Sequence, residues 1–247
     1  MEVGLFIPCY IDQLYPQIGM ASVAVLESLG VTPVYPRNQT CCGQIVFNSG
    51  CFKESEKLAK KFFTHFKDFE YVVAPSASCV HMVRYEYDRF IQNDPEFVRL
   101  QSRTFEFSEF ITDTLKIERF EGKFPHKVGF HQSCSGLRGL RLGTSSELNE
   151  KKDSRVRALL QSLEGIEIIS LSRPDECCGF GGTFSIFEET ISSLMGMDRL
   201  KDHQQAGAEI ITGYDASCLM HLEGLIKRNK KNLRVMHIAE ILSYSIS

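Results

Sequence analysis

No two of the nine cysteines in this 247-residue chain are separated by just two residues. The lack of any CxxC removes the knuckle from which structural zinc sites are usually built. The eight-cysteine ferredoxin pattern is missing too. Also missing are a GxGxxG turn with its following acidic residue, a P-loop, an HExxH helix and a GxSxG elbow. Charge of one sign is scarce: the net value is -3 and the pI is near 6.2, which gives no electrostatic case for nucleic acid. The basic clusters Lys57, Lys60, Lys61 and Lys227, Arg228, Lys230, Lys231 read as solvated helix faces. No apolar run approaches the roughly 18 residues of a membrane span. The opening MEVGLFIPCY has an acid at position 2 and no basic n-region, so it reads as a first strand rather than a signal peptide. A cytoplasmic location is expected, with reduced thiols that act as ligands or catalysts rather than as disulfides.

What is present is a cysteine pattern used twice. Cys9, the adjacent pair Cys41-Cys42 with Gly43, and Cys79 form one set. Cys134, the pair Cys177-Cys178 with Gly179, and Cys218 form the other. Cys51 belongs to neither and is expected to be a buried small apolar residue.

The repeat extends beyond sulfur. Strand-like runs at 3–7, 31–35 and 71–74 lead to the three cysteine positions of the first set. Runs at 127–131, 166–171 and 208–212 lead to those of the second. Helical patterns at 17–29 and 52–66 fill the first unit, and those at 155–163 and 185–206 the second. Each unit closes on a related tail, Phe107-Ser108-Glu109-Phe110-Ile111 against Ile238-Ala239-Glu240-Ile241-Leu242. Glu109 and Glu240 recur there in capping or packing roles. Strand, helix, strand, helix, strand predicts an α/β fold of two pseudo-symmetric Rossmann-like lobes with parallel sheets. The expected domains are 1–117 and 126–247, joined by an aperiodic stretch that ends at Pro125. Each cysteine loop then lies at the carboxyl ends of strands, where ligand sites of open α/β sheets gather.

Four thiolates per unit suit an iron–sulfur cluster or zinc. Adjacent cysteines strain to chelate one tetrahedral ion, but they reach two irons of a wider cluster. Gly43 and Gly179 permit the turn that aims both sulfurs one way. Gly179-Phe180-Gly181-Gly182 lets backbone N–H groups approach a cluster's sulfides. Buried metal-free thiols, or a strained and reducible disulfide within an adjacent pair, stay open as alternatives. His131, His81 and His221 stand near the cysteines as further candidate ligands. Arg138 and Arg141, among Gly139 and Gly143, read as a solvated loop or an anion site.

The motifs Pro8-Cys9, Cys41-Cys42-Gly43-Gln44, Pro75-Ser76-Ala77-Ser78-Cys79, His131-Gln132-Ser133-Cys134 and Cys177-Cys178-Gly179-Phe180-Gly181-Gly182-Thr183-Phe184 resemble the cysteine-rich CCG domain family, which includes the heterodisulfide reductase B subunit. Among its members, those that serve bacterial L-lactate oxidation look most similar. The resemblance covers nearly the whole chain. It implies a cytoplasmic iron–sulfur electron-transfer subunit that is not active alone and serves the oxidation of a 2-hydroxy acid, L-lactate, to pyruvate. It also implies two partners, a ferredoxin-domain iron–sulfur protein and a third small subunit. The implied cofactor is one or two clusters of the 4Fe-4S kind, with zinc as the alternative occupant. The ligand set it implies is Cys9, Cys41, Cys42, Cys79, Cys134, Cys177, Cys178 and Cys218. The chain departs from the family where a second cysteine should end each motif. Met82 stands there in the first copy, and His221, a substitute ligand candidate, in the second.

Overall fold

The computed structural model describes residues 1–92, 94–148 and 154–246. Among these residues two four-stranded sheets are built, each wholly parallel. Strands β1 (Glu2–Leu5), β2 (Thr32–Val34), β3 (Val72–Ala74) and β4 (Thr104–Glu106) form the first, in the order β2-β1-β3-β4. Strands β5 (Lys127–His131), β6 (Glu167–Ile168), β7 (Ile210–Gly213) and β8 (Arg234–Val235) form the second, in the order β6-β5-β7-β8. The two orders are the same, as the repeated sequence predicts, and the fold is α/β.

The central strands are buried on both faces, which is why Val72, Val73 and Ala74 read as an unbroken apolar run. Helix Pro16–Ser28 starts on a proline whose missing N–H costs nothing at that position. Helix Phe52–Phe66 buries Ser55, Ala59, Phe62 and Phe66 along one stripe and leaves its lysines to water. The expected helix at 185–206 is broken instead into Phe184–Phe187 and Glu189–Gln205. Each sheet has an edge strand, β4 and β8, that the sequence pattern does not predict.

The lobes are not independent beads. One apolar core runs from Val3 and Leu5 through Phe107 and Phe110 to Val128, Ile238 and Leu242. Helices Pro16–Ser28 and Ile238–Ser245 pack together across it. The connection between the sheets buries Phe120 and Phe124 and hydrogen-bonds to the second lobe through Phe124 N to Glu164 O at 2.9 Å.

The closing tails are capping boxes in both lobes. Glu106 and Glu109 form the first, His237 and Glu240 the second. Glu106 is fully buried, and desolvation pushes its carboxyl up to about 8 against the pull of Ser108 and Glu109 donors. The folded chain therefore keeps a proton that the unfolded chain releases near 4.5. Stability from this group is full at low pH and is lost as pH rises through about 8. Between about pH 5 and pH 9 the urea midpoint of the wild type should fall, and that of Glu106→Gln should fall less.

Candidate metal centre

The strand ends deliver the cysteines as the repeat requires. Cys9 opens helix Cys9–Leu14 just past β1. Cys41 and Cys42 lie in the loop beyond β2, and Cys79 sits in helix Ala77–His81 after β3. In the second lobe Cys134 follows β5, Cys177 and Cys178 lie beyond β6, and Cys218 sits in helix Ala216–Arg228 after β7. Gly43 (φ 83°) and Gly179 (φ 88°) are left-handed, which glycine adopts without strain. At Gly179 a Cβ would stand 2.5 Å from the carbonyl oxygen of Ser192, so the backbone itself excludes any other residue.

Within the first set the sulfurs converge. Cys9 Sγ is 3.5 Å from Cys41 Sγ, and Cys42 Sγ is 3.4 Å from Cys79 Sγ. Gly43 N–H donates to Cys41 Sγ at 3.4 Å. The second set repeats this, with Gly179 N–H on Cys177 Sγ at 3.3 Å and Phe180 N–H on Cys178 Sγ at 3.5 Å. These amide donors stabilise negative sulfur.

The thiols cannot all ionise together. Hydrogen bonds from Cys42 and Cys9 push Cys41 well down, while the bond to Cys41, joined by burial, pushes Cys9 well up. Bonding to Cys41 and Cys79, and then burial, raise Cys42. In the second set Cys134 is raised by its bond to Cys177 and by burial. Bonds from Cys134, Cys177 and Cys178 pull down Cys177, Cys178 and Cys218 respectively, but burial and the remaining neighbours outweigh them and all three end raised. Four soft donors that hold back one another's charge are what a cation relieves. This donor set, with its amide hydrogen bonds, fits a thiolate-bound metal or cluster.

Both sets open on one crevice, lined from one lobe by Cys9, Cys41, Cys42 and Cys79 and from the other by Cys134 and Cys218. Tyr10 from the first lobe meets Phe180 from the second edge-on at 5.7 Å. Asp215 ties the lobes together between the sets. Its Oδ1 accepts from Ser76 Oγ and from Ser78 N–H, each at 2.9 Å, and its Oδ2 accepts from Ser133 Oγ at 2.7 Å. Ser133 is left-handed (φ 53°), an uncommon state for serine, and this bond helps to hold it there immediately before Cys134. Ser76 and Asp215 are equivalent residues of the two repeats, and they pair backbone to backbone in an antiparallel bridge.

Sequence reasoning identified the eight cysteines and missed Asp215. It named His131 as a candidate ligand, but set His221 rather than His131 beside the cysteines of the second copy. Among the described residues, the ligand atoms of His131, Cys178 and Cys218 lie within 4.8 Å of one another. His221 is outside that group. Its Nε2 stands 3.2 Å from Ser192 O. His81 packs beside Tyr85 and over Gly139. Cys51 is exposed rather than buried, at the residue that precedes helix Phe52–Phe66. Arg138 pairs with Glu147 at 2.6 Å. No helix of the described residues is long and apolar enough to cross a membrane.

Comparison with known proteins supports the same reading of the repeat. The family model for a cysteine-rich domain, CCG, matches residues 3–84 and 128–223. Lactate utilization protein A of Geobacillus kaustophilus is 38% identical over 98% of this chain and 99% of its own length. The protein of that name from Exiguobacterium sp. is 38% identical over 99% of this chain and 98% of its own. Lactate utilization protein A 2 of Bacillus cereus is 35% identical over the whole of both chains. Among solved structures, a hypothetical protein from Helicobacter pylori superposes with a TM-score of 0.60 at 11% identity, and this chain spans about half (49%) of its length. That likeness concerns the fold alone. Two cysteine sets on two equivalent lobes, a matching domain model on each, and full-length relatives together establish that the chain belongs to the cysteine-rich CCG domain family.

Proposed function

We propose that the chain is an iron–sulfur electron-transfer subunit of a cytoplasmic system that oxidises L-lactate to pyruvate. The observation that carries this reading is the convergence of six cysteines, drawn from two equivalent sets, on one crevice. The name shared by the relatives, lactate utilization protein A, supplies the substrate. Cys9, Cys41, Cys42 and Cys79 would hold one centre, and Cys134, Cys177, Cys178 and Cys218 the other. When bound, such clusters accept and release single electrons. Oxidation of lactate to pyruvate releases two electrons and two protons, so two one-electron sites match its stoichiometry.

The chain's own groups prepare the site. Gly43, Gly179 and Phe180 donate N–H bonds to the ligand sulfurs and so favour their anionic, metal-binding form. Asp215 fixes the two lobes at a constant separation, which fixes the distance between the centres. Electrons leave through partner proteins, a ferredoxin-domain iron–sulfur protein and a third small subunit. A second reading, a zinc-bound scaffold, draws on the three-donor group of His131, Cys178 and Cys218.

The deciding measurement is the iron, acid-labile sulfide and zinc content of anaerobically purified protein, with a low-temperature EPR spectrum of the reduced sample. Iron and sulfide at about four or eight per chain are expected. Stoichiometric zinc without iron would replace this reading with the scaffold.

A further inference from the structure

The two lobes share a fold but differ under their cysteines. In the first lobe the floor is three phenylalanines. Phe6, at the end of the first strand run, meets Phe62 at 5.0 Å and Phe66 at 5.7 Å. The equivalences across the repeat are fixed by contacts. Ser55 donates to the carbonyl oxygen of Gly43, and Ser192 to that of Gly179. Gly4 is crowded by Phe66, and Gly129 by His203. In this register Phe6, Phe62 and Phe66 become His131, Arg199 and His203. All three replacements are buried. Arg199 has Asp202 at 3.2 Å. Both ring nitrogens of His131 and of His203 are without a hydrogen-bond partner among the described residues.

Buried imidazole nitrogens without partners are costly, and each needs a reason. The fold does not require these polar groups, since the first lobe fills the same positions with phenylalanine. The reason lies above them. A ring nitrogen of His131 is within 4.8 Å of both Cys178 Sγ and Cys218 Sγ, yet it makes no hydrogen bond to either. Donors that share one metal ion, with bonds of about 2.1 Å to nitrogen and 2.3 Å to sulfur, stand roughly 3.6 Å apart. A slight closing of these three residues reaches that spacing.

We propose that His131 is a nitrogen ligand of the second-lobe centre, beside Cys178 and Cys218. The first-lobe centre has sulfur ligands alone, because Phe6 occupies the position of His131. This rests on the reading that the cysteine sets hold metal. Histidine adds a neutral nitrogen donor to the second centre that the first lacks, so the two centres are unequal.

The test is pulsed EPR on the full chain, reconstituted anaerobically, reduced, and grown with [15N]histidine. A strong histidine-nitrogen coupling on one of the two centres is expected. His131→Phe, which installs the first lobe's residue, should abolish it, and His221→Phe should leave it intact. Cluster-loaded protein with no histidine coupling, or a coupling that survives His131→Phe, overturns the proposal. If His131→Phe does not fold, the labelled wild type and His221→Phe decide: no coupling, or one that His221→Phe removes, overturns the proposal. Protein that takes up no iron would fail the electron-transfer reading instead, and cobalt(II) titration then judges His131 by itself. A loss of affinity of at least about tenfold in His131→Phe supports ligation, and equal affinity overturns it.

Discussion

Serine at Cys177 and Cys178 is expected to remove half of the iron and sulfide from the reconstituted protein. Serine at Cys41 and Cys42 should remove the other half, and all four changes together should leave none. The sulfur-to-oxygen change is small in volume, so the fold should persist. It replaces a soft thiolate by a hydroxyl that stays protonated at neutral pH and binds iron poorly. Each pair contributes two of the four thiolates of its set, and the amide bonds from Gly43, Gly179 and Phe180 are aimed at these sulfurs. The two losses should be additive, because the sets belong to different sheets. Iron, sulfide and the visible charge-transfer band measured on the three variants check this. A complete loss from either pair alone would mean one centre shared between the lobes.

The largest effect on stability is expected at Asp215. Asp215→Ala leaves Ser76 Oγ and Ser133 Oγ, both buried, and Ser78 N–H, half-buried, without their acceptor. A buried donor left unpaired costs about 1–3 kcal/mol. The two hydroxyls can rotate toward other acceptors, but the amide cannot. A total loss of about 3–5 kcal/mol follows, read as a lower urea midpoint of the metal-free protein. Asp215→Asn keeps the shape and one acceptor oxygen, and it should lose about half as much. Asp215→Ala should also lower metal loading in the second lobe, since Ser133 then relaxes from its left-handed state and carries Cys134 with it.

The repeat was legible because sequence records it twice. Six strands could be read from apolar runs that end at cysteine loops, and β5 matches its expected span of 127–131. Strands β4 and β8 were not legible, since Thr104–Glu106 and Arg234–Val235 mix polar with apolar residues and lead to no cysteine loop. The ligand thiols were visible because two adjacent pairs followed by glycine are improbable as packing. Asp215 was invisible because its partners come from distant segments, Ser76, Ser78 and Ser133. Arg199 and His203 were hidden for a related reason. A histidine on a helix face looks solvated until the sheet it covers is known. A residue-by-residue comparison of the two repeats would have found them, as polar residues set where the other copy carries phenylalanine.

The bridge between Ser76 and Asp215 bears on how such a protein can arise. In a dimer of identical halves, a residue on the two-fold axis meets its own copy. Aspartate would then face aspartate, two carboxylates in conflict. Serine would face serine, with no anion to gather the donors around it. A donor set against an acceptor at that axis requires two halves that differ, and one covalent chain guarantees that they always meet in a one-to-one ratio. Duplication followed by fusion thus frees each half to diverge around a shared seam, which is the freedom that the phenylalanine and histidine floors of the two lobes display.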